Sequence, residues 1–448
     1  MSELPLKGIR VIDVSVVWAA PYALQLLADY GAEIIKVESL QYIPPTTRSL
    51  GFFPPKEMVP ILGALGRSFP DLDPGKRPWN RLSAFNCHFR NKHSCTMDLR
   101  RPKGKEMFKR LVEISDMVIE NNAAGVMDRL GLGYEVLSEW KPDIIMVSSP
   151  GFGKSGPYSN YVGFGNSMMA LTGFNWIRGY RDSAPETTTT SVWLDSASGP
   201  AIAFAAMMAL HHRDNTGRGQ FIEFAQAENL INHIGDVVLD YTMNGRVQGT
   251  PGNRHPYSAA PYGCYRCKPE SRKVRPDVFA PNQYADDQWI NISVFNEKQW
   301  QGLCRVMGNP EWAHDKKFSD VLSRYQNQDE LDKHIEEWTS KLDKYEVFHS
   351  LQKEGVPAGP VLDDKDAYND PHLKDRGFFE EVTGPELGTH LYPGMTWKMS
   401  KTPGSIRKPP VRLGEDNEYV YKTLLGVSAE EYAELEKEQH IGMDYVGV

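Results

Sequence analysis

What most constrains this chain is a strand–helix alternation that repeats through its first half. Residues 9–17, IRVIDVSVV, are rich in β-branched side chains and read as a buried strand. Pro21 then opens a helical stretch, PYALQLLADYG, with Gly31 as its stop. A second strand, AEIIKVE, follows at 32–38. Two strands separated by a helix pair in parallel, because only a long crossover can bring the second back beside the first. The alternation recurs. CTMDL (95–99) precedes a helix over KGKEMFKRLVEISD, DMVIEN (116–121) precedes a helix near YEVLSEW, and DIIMVSSPG (143–151) is a further strand. GPAIAFAAMMALHHR (199–213) is a long apolar helix, and GQFIEFAQAENLINHIGDVVLDY begins as a strand and continues as a helix. This pattern predicts an α/β fold with a large, doubly wound, Rossmann-like domain.

Two stretches break the pattern. Residues 39–85 hold eight prolines with Phe52, Phe53, Phe69 and Trp79, and show no sustained period. They read as a long ordered loop, either a lid over part of a site or a packing and dimer-contact element. A turn-rich stretch, GTPGNRHPYSAAPYG (249–263), marks a boundary. Beyond it WINISVF reads as a strand, and NEKQWQGLCRVMG and DELDKHIEEWTSKLDKYEVFHSLQKEG read as helices, which gives a smaller α+β domain. The expected division is 1–225 for the first part of the large domain, 226–250 a linker helix, 251–350 the small domain, 351–390 a Gly- and Pro-rich linker, and 391–448 the return to the large domain.

The formal net charge of −8 makes the chain a poor match for a nucleic-acid backbone or an anionic membrane. A polyanionic ligand would have to be held by local basic groups and helix ends. Five cysteines, an odd and sparse set, do not form a disulfide framework. The N-terminal MSELPLKGIRVIDVS lacks the parts of a signal peptide, and no stretch has the length of a membrane span. A cytoplasmic protein is expected.

Asp195, in SVWLDSASGPAIAFAAMMALHHR, is the residue with the most chemical interest. An Asp before small residues and an apolar helix reads first as a helix N-cap. The same setting suits a nucleophile, since amides and the helix dipole favour its charge and small neighbours admit a carbonyl. GFGKSGPYSNYVGFGN (151–166) holds five glycines but neither nucleotide fingerprint, so it is a turn-rich connection or a loop that lets backbone approach a ligand. Lys36, the pair Arg90 and Lys92, and Arg129 follow predicted strands and could serve phosphates, although each alone reads as a surface charge. Cys264-Tyr-Arg-Cys267 has the spacing of half a zinc site without a second half, so no metal site is expected. His211 and His212 read as partners of a helix C-terminus.

Taken in order, these segments resemble the class III CoA-transferase family, the group of formyl-CoA, carnitine and bile-acid CoA-transferases. The resemblance runs through LKGIRVIDVS with AAPYALQLLADYGAEIIKVE, RNKHSCTMDLRRPKGKEMFKRLV, SDMVIENNAAGVMDRLGLGYEVL, GFGKSGPY, LDSASG, ALHHRDNTGRGQFIEFAQAE and EGVPAGPVLDDKDAYNDPHLKDRGFFEEV. No one of them is specific; their order over nearly the whole chain is. The resemblance implies Asp195 as the nucleophile, and CoA contacts at Val17, Trp18 and Ala19, at Met97, Asp98, Leu99 and Arg100, at Asn121 and Asn122, and at Arg129. It also implies a large domain built from both chain ends and two subunits interlocked like links of a chain.

Two departures stand out: Ala19-Ala20-Pro21 where relatives have A-G-P, and Ser39 where the residue after VE is often basic. The implied activity moves coenzyme A from an acyl-CoA to a free carboxylic acid through an aspartyl anhydride and an aspartyl-CoA thioester, with no metal or redox cofactor. The implied assembly is a homodimer, or a pair with a homologous second subunit. The 39–85 loop suggests a bulky or aromatic acceptor such as a substituted succinate. Two alternatives remain. One is an acyl-CoA racemase or epimerase, whose relatives carry a His-Asp pair where this chain has Gly163-Phe164-Gly165-Asn166. The other is a non-catalytic CoA-binding subunit of a heteromer.

Overall fold

The structure is a computed structural model that describes residues 3–62, 68–184, 193–256, 259–270 and 286–447. Its contacts divide the chain into two compact units. The first comprises Met1–Phe174, Thr190–Asn244 and Asp375–Val448, and the second Asn175–Thr189 and Gly245–Lys374.

The first unit is built on six strands: β1 (Arg10–Asp13), β2 (Glu33–Glu38), β3 (Lys92–Thr96), β4 (Met117–Glu120), β5 (Ile145–Ser148) and β6 (Phe221–Glu223). They lie in the order β3-β2-β1-β4-β5-β6, and every pairing is parallel. Strand order therefore reverses between β1 and β4, the point at which doubly wound sheets open a crevice at their carboxyl ends. Both faces are covered, because alternate side chains serve opposite cores. Val11 packs with helices α1 (Ala19–Asp29) and α5 (Trp193–Thr216) through Leu24, Leu27, Ile202 and Ala206. Its neighbour Ile12 packs on the other side with Met107, Phe108 and Leu111 of α2 (Pro102–Glu113) and Leu137 of α3 (Tyr134–Trp140). A further helix, α4 (Gly165–Leu171), starts where the Ser167 hydroxyl accepts the Phe164 N–H at 3.0 Å.

One expected strand is displaced. CTMDL is predicted at 95–99, but β3 occupies Lys92–Thr96, three residues earlier. Its first residue is a buried lysine, paired with Asp13 at 3.0 Å, so the burial of this strand end does not show as hydrophobicity. Met97 and Leu99 still enter the core.

In the second unit, β7 (Tyr262–Cys267), β8 (Gln288–Ser293) and β9 (Ala358–Pro360) form an antiparallel sheet. It is packed by Trp300, Leu303, Leu331, Ile335, Val347 and Leu351 from the helices Glu297–Val306, Gln328–Thr339 and Lys344–Lys353. β7 carries the Cys264/Cys267 pair. Three residues apart on a strand, the two side chains leave opposite faces, and Cys267 is buried while Cys264 is half-buried, so the zinc-like spacing is a coincidence of sequence. The Gly- and Pro-rich stretch after 351 is not irregular throughout, since it supplies β9. Back in the first unit, β10 (Phe379–Gly384) and β11 (Gly388–Pro393) form a hairpin that the sequence reading lacks. Among the described residues no helix is long and apolar enough to cross a membrane.

Candidate active site

Three chain segments leave the carboxyl ends of β1, β4 and β5 around the switch point. They line a cavity of about 420 Å³ with Val16, Val17, Asn121–Ala124 and Pro150–Phe152. Gly163–Asn166, Met168, Gln226, Thr46 and the carboxylate of Asp195 complete the wall.

Asp195 is not an N-cap. Helix α5 is already formed at Trp193, which places Asp195 in the first turn, next to amides that have no partner within the helix. Burial pushes its carboxyl up to about 6, although its own N–H and that of Ala19 donate to it and oppose the rise. The sequence reading expects helix-end amides to keep this carboxylate comfortably charged; desolvation outweighs them. Opposite it, Gly165 approaches so closely that a methyl there would lie 2.7 Å from Oδ2.

The loop that presents Ala19 is strained and strongly braced. Val17 has φ +64°, a conformation that costs a β-branched residue energy and that concentrates at functional sites. Asn121 pairs with both backbone groups of Val16, accepting its N–H at 2.7 Å and donating to its carbonyl at 2.9 Å. Val17 N–H donates to Thr47 Oγ1 at 2.9 Å. Asn122 donates to the Val14 carbonyl at 3.3 Å and to Glu120 at 3.0 Å. Beneath the loop, Asp13 receives Lys36 at 3.4 Å and Lys92 at 3.0 Å, and the two lysines also donate to the carbonyls of Ser15 and Pro21. Burial works against the Asp13 charge, but both lysines hold its carboxyl below the ordinary range. Burial brings Lys92 down to about 8, with Asp13 opposing the fall.

These contacts correct the reading of the basic residues. Lys36, Arg90 and Lys92 are neither surface charges nor free for phosphate. They are buried, with Arg90 on Asp29 at 2.9 Å and the lysines on Asp13. Arg129, next to the Asn121–Ala124 segment, is exposed and among the described residues bonds the Ala124 carbonyl at 3.4 Å. Of Met97–Arg100, the side chains of Met97, Asp98 and Leu99 are buried and only that of Arg100 is substantially open, 56% exposed. Val17, Asn121 and Asn122 are thus gathered with Asp195 in one cavity, and Ala19 reaches it through its N–H. Trp18 turns away into a second cavity. Thr46 and Gln226 also line the Asp195 cavity and were not singled out from sequence, while Phe152 and Tyr161 join them from the glycine-rich 151–166 loop. Thr46 has φ +60°, and nothing in its proline-rich context marks it as facing a site.

The chain matches the model of CoA-transferase family III over residues 6–417. This protein belongs to CoA-transferase family III. It is similar to the succinyl-CoA–L-malate CoA-transferase beta subunit of Chloroflexus aurantiacus, 31% identical over 443 residues, covering 98% of this chain and 99% of that one. A succinyl-CoA–D-citramalate CoA-transferase of the same organism is also 31% identical, over 440 residues and 98% of both chains. Among solved structures, a CAIB/BAIF family protein from Brucella suis superimposes with a TM-score of 0.77 at 27% identity, covering 94% of this chain and 100% of that one. The family III chain is accordingly a CoA-transferase with acyl-CoA as substrate.

Proposed function

We propose that this enzyme passes coenzyme A from an acyl-CoA donor to a free carboxylic acid through covalent intermediates on Asp195. The observation that carries this reading is a carboxylate at the switch-point crevice, on a helix first turn, facing a glycine that leaves its oxygen open to approach. An Asp195 oxygen attacks the donor thioester carbonyl; the carbon–sulfur bond breaks and CoA leaves as thiolate, giving an acyl-aspartyl anhydride. The thiolate attacks the aspartyl carbonyl and the donor acid departs as carboxylate, leaving an aspartyl-CoA thioester. The acceptor carboxylate displaces the thiolate to form a second anhydride. Attack of the thiolate on the acceptor carbonyl then frees Asp195 and the new acyl-CoA. This route calls on no metal or redox cofactor. The glycine-rich 163–166 segment lines the same cavity, and backbone N–H groups there would stabilise the oxyanions. That segment carries no His or Asp, which favours transfer over the two-base proton exchange of a racemase.

CoA would lie against the backbone of Val17, Trp18 and Ala19, and against Asn121 and Asn122. Arg129 and Arg100 are the exposed cations for its phosphates, and Met97, Asp98 and Leu99 offer backbone. Relatives named for succinyl-CoA with malate or citramalate support succinyl-CoA as donor and a substituted succinate as acceptor, and the aromatic 39–85 loop is the ground for a bulky or aromatic one. We also read the enzyme as cytoplasmic and as an interlocked dimer, with the large domain drawn from 1–225 and 391–448 and the small one from 251–350. The deciding measurement is intact mass after incubation with succinyl-CoA alone. CoA should add to the wild type and map to Asp195, and Asp195→Ala should gain no CoA and transfer at least ~10³-fold more slowly. Transfer by Asp195→Ala at the native rate would overturn the mechanism.

A further inference from the structure

A second cavity, of about 390 Å³, adjoins the first along one line of backbone. Val17 and Asp195 line the Asp195 cavity, while their neighbours Trp18 and Ser196 line the second. The rest of its wall is largely aromatic: Tyr22 of α1 and Tyr30 just past its end, with Phe378, Met395 and Trp397 around the β10–β11 hairpin. Trp397 stacks on Tyr30 at 5.9 Å, and Trp18 meets the His88 ring edge-on at 4.6 Å. The charges in the wall are already matched, since Asp29 takes Arg90.

One polar atom behind this wall is unmatched among the described residues. His88 is buried, and its Nε2 has no hydrogen-bond partner. Gln25, turned so that its amide satisfies every neighbour, donates to His88 Nδ1 at 3.1 Å and to the Cys87 carbonyl at 2.7 Å, and accepts from Arg90 at 2.9 Å. Nδ1 is then the acceptor and Nε2 carries the hydrogen. Burial and the nearby Lys92 and Arg90 lower His88 to about 3, so the ring stays neutral beside Trp18 and Tyr22 and the wall it shares with them is uncharged.

We propose that this cavity is the acyl-side pocket of the enzyme, taking a flat aromatic substituent of the carboxylic acid whose carboxylate reacts at Asp195. The inference rests on the transfer reading above and adds where the acid lies. The ring would be sandwiched among Trp18, Tyr22 and Trp397, and the carboxylate would reach past Ser196 to the nucleophile.

The test compares 2-phenylsuccinate with 2-methylsuccinate as acceptors from succinyl-CoA, an otherwise matched pair. The wild type should favour the phenyl acid in kcat/KM by at least tenfold. Thr396→Trp, which fills the cavity from an exposed position on its rim, and Trp397→Ala, which removes an aromatic wall, should each cut that ratio at least tenfold. A ratio unchanged in both variants, or a wild type without the preference, overturns the pocket. Saturation-transfer NMR of 2-phenylsuccinate with the wild type and both variants separates the two readings. If no acyl-CoA forms a covalent adduct but the phenyl acid binds the wild type and not Thr396→Trp, the transfer mechanism fails and the pocket stands. If adducts form and the phenyl acid does not bind, the pocket fails and the mechanism stands.

Discussion

At the scale of single residues, Asp195 is a compromise between two environments. Its folded pKa of about 6 lies above the 3.8 of an ordinary aspartate, so the folded protein holds this proton more tightly than the unfolded chain. The sign follows from linkage. Stability from the neutral acid is fully present below about 3.8 and is lost as pH rises through about 6. Two units correspond to about 3 kcal/mol as an upper bound. Asp195→Asn, neutral at every pH, should therefore be more stable than the wild type at pH 8, by up to that amount in urea unfolding. The gain should shrink toward zero by pH 4, while transfer is lost. A variant no more stable than wild type at pH 8 would show that the site solvates its charge better than its burial implies. For the same reason kcat/KM of the wild type should fall about tenfold per pH unit below 6, as the nucleophile protonates.

At the scale of elements, the contact that sets the site is the crossing of α1 over α5. Ala19 N–H at the start of α1 meets Asp195 in the first turn of α5, and one turn later Gly199 packs against Tyr22. A Cβ at Gly199 would fall 2.4 Å from a Tyr22 ring carbon. The helices approach this closely because the position carries no side chain. Gly199→Ala should cost about 1–3 kcal/mol by overpacking. It should also shift Ala19 relative to Asp195 and lower kcat. Gly249→Ala, where an added methyl meets nothing within 4 Å, should change stability by less than about 0.5 kcal/mol. Equal effects of the two substitutions on unfolding would rule out the close crossing.

At the scale of the whole molecule, apolar side chains are left open on two helices of the first unit. Phe204 and Met208 of α5 are 67% and 58% exposed, and Met243 of the helix Gly235–Asn244 is 76% exposed, with Leu239 and Tyr241 beside it. Exposed apolar side chains one turn apart on each helix are the kind of surface a partner can cover. Light scattering should accordingly give twice the 50.6 kDa chain mass at micromolar concentration. A monomer there would remove the dimer, and a requirement for a second, homologous chain would replace it with a heteromer. The 39–85 loop also belongs to this scale. Its described part packs through Arg48 on Glu38 at 2.6 Å and through Val59, Phe69 and Phe85, yet Thr46 and Thr47 reach the Asp195 cavity and its strained rim. Part of the loop thus packs within the unit, while Thr46 lines the Asp195 cavity.

The sequence by itself determined the parallel α/β unit, because strand and helix periods and their Pro and Gly boundaries are local properties. It also singled out Asp195, through an order of motifs rather than any one residue. Asn121 and Asn122 were singled out in the same way and line the cavity of Asp195, although their bonds to Val16 and Val14 were not legible. Burial and partnership were beyond it. Whether Lys36, Arg90 and Lys92 face a phosphate or an internal carboxylate depends on Asp13 and Asp29, which lie 23 or more residues away in the chain. The same holds for Asp195. The sequence placed it at a helix end, where amides favour its charge. Only the tertiary structure, by closing a cavity over it and withdrawing water, decided that desolvation prevails and that its proton is held to about pH 6.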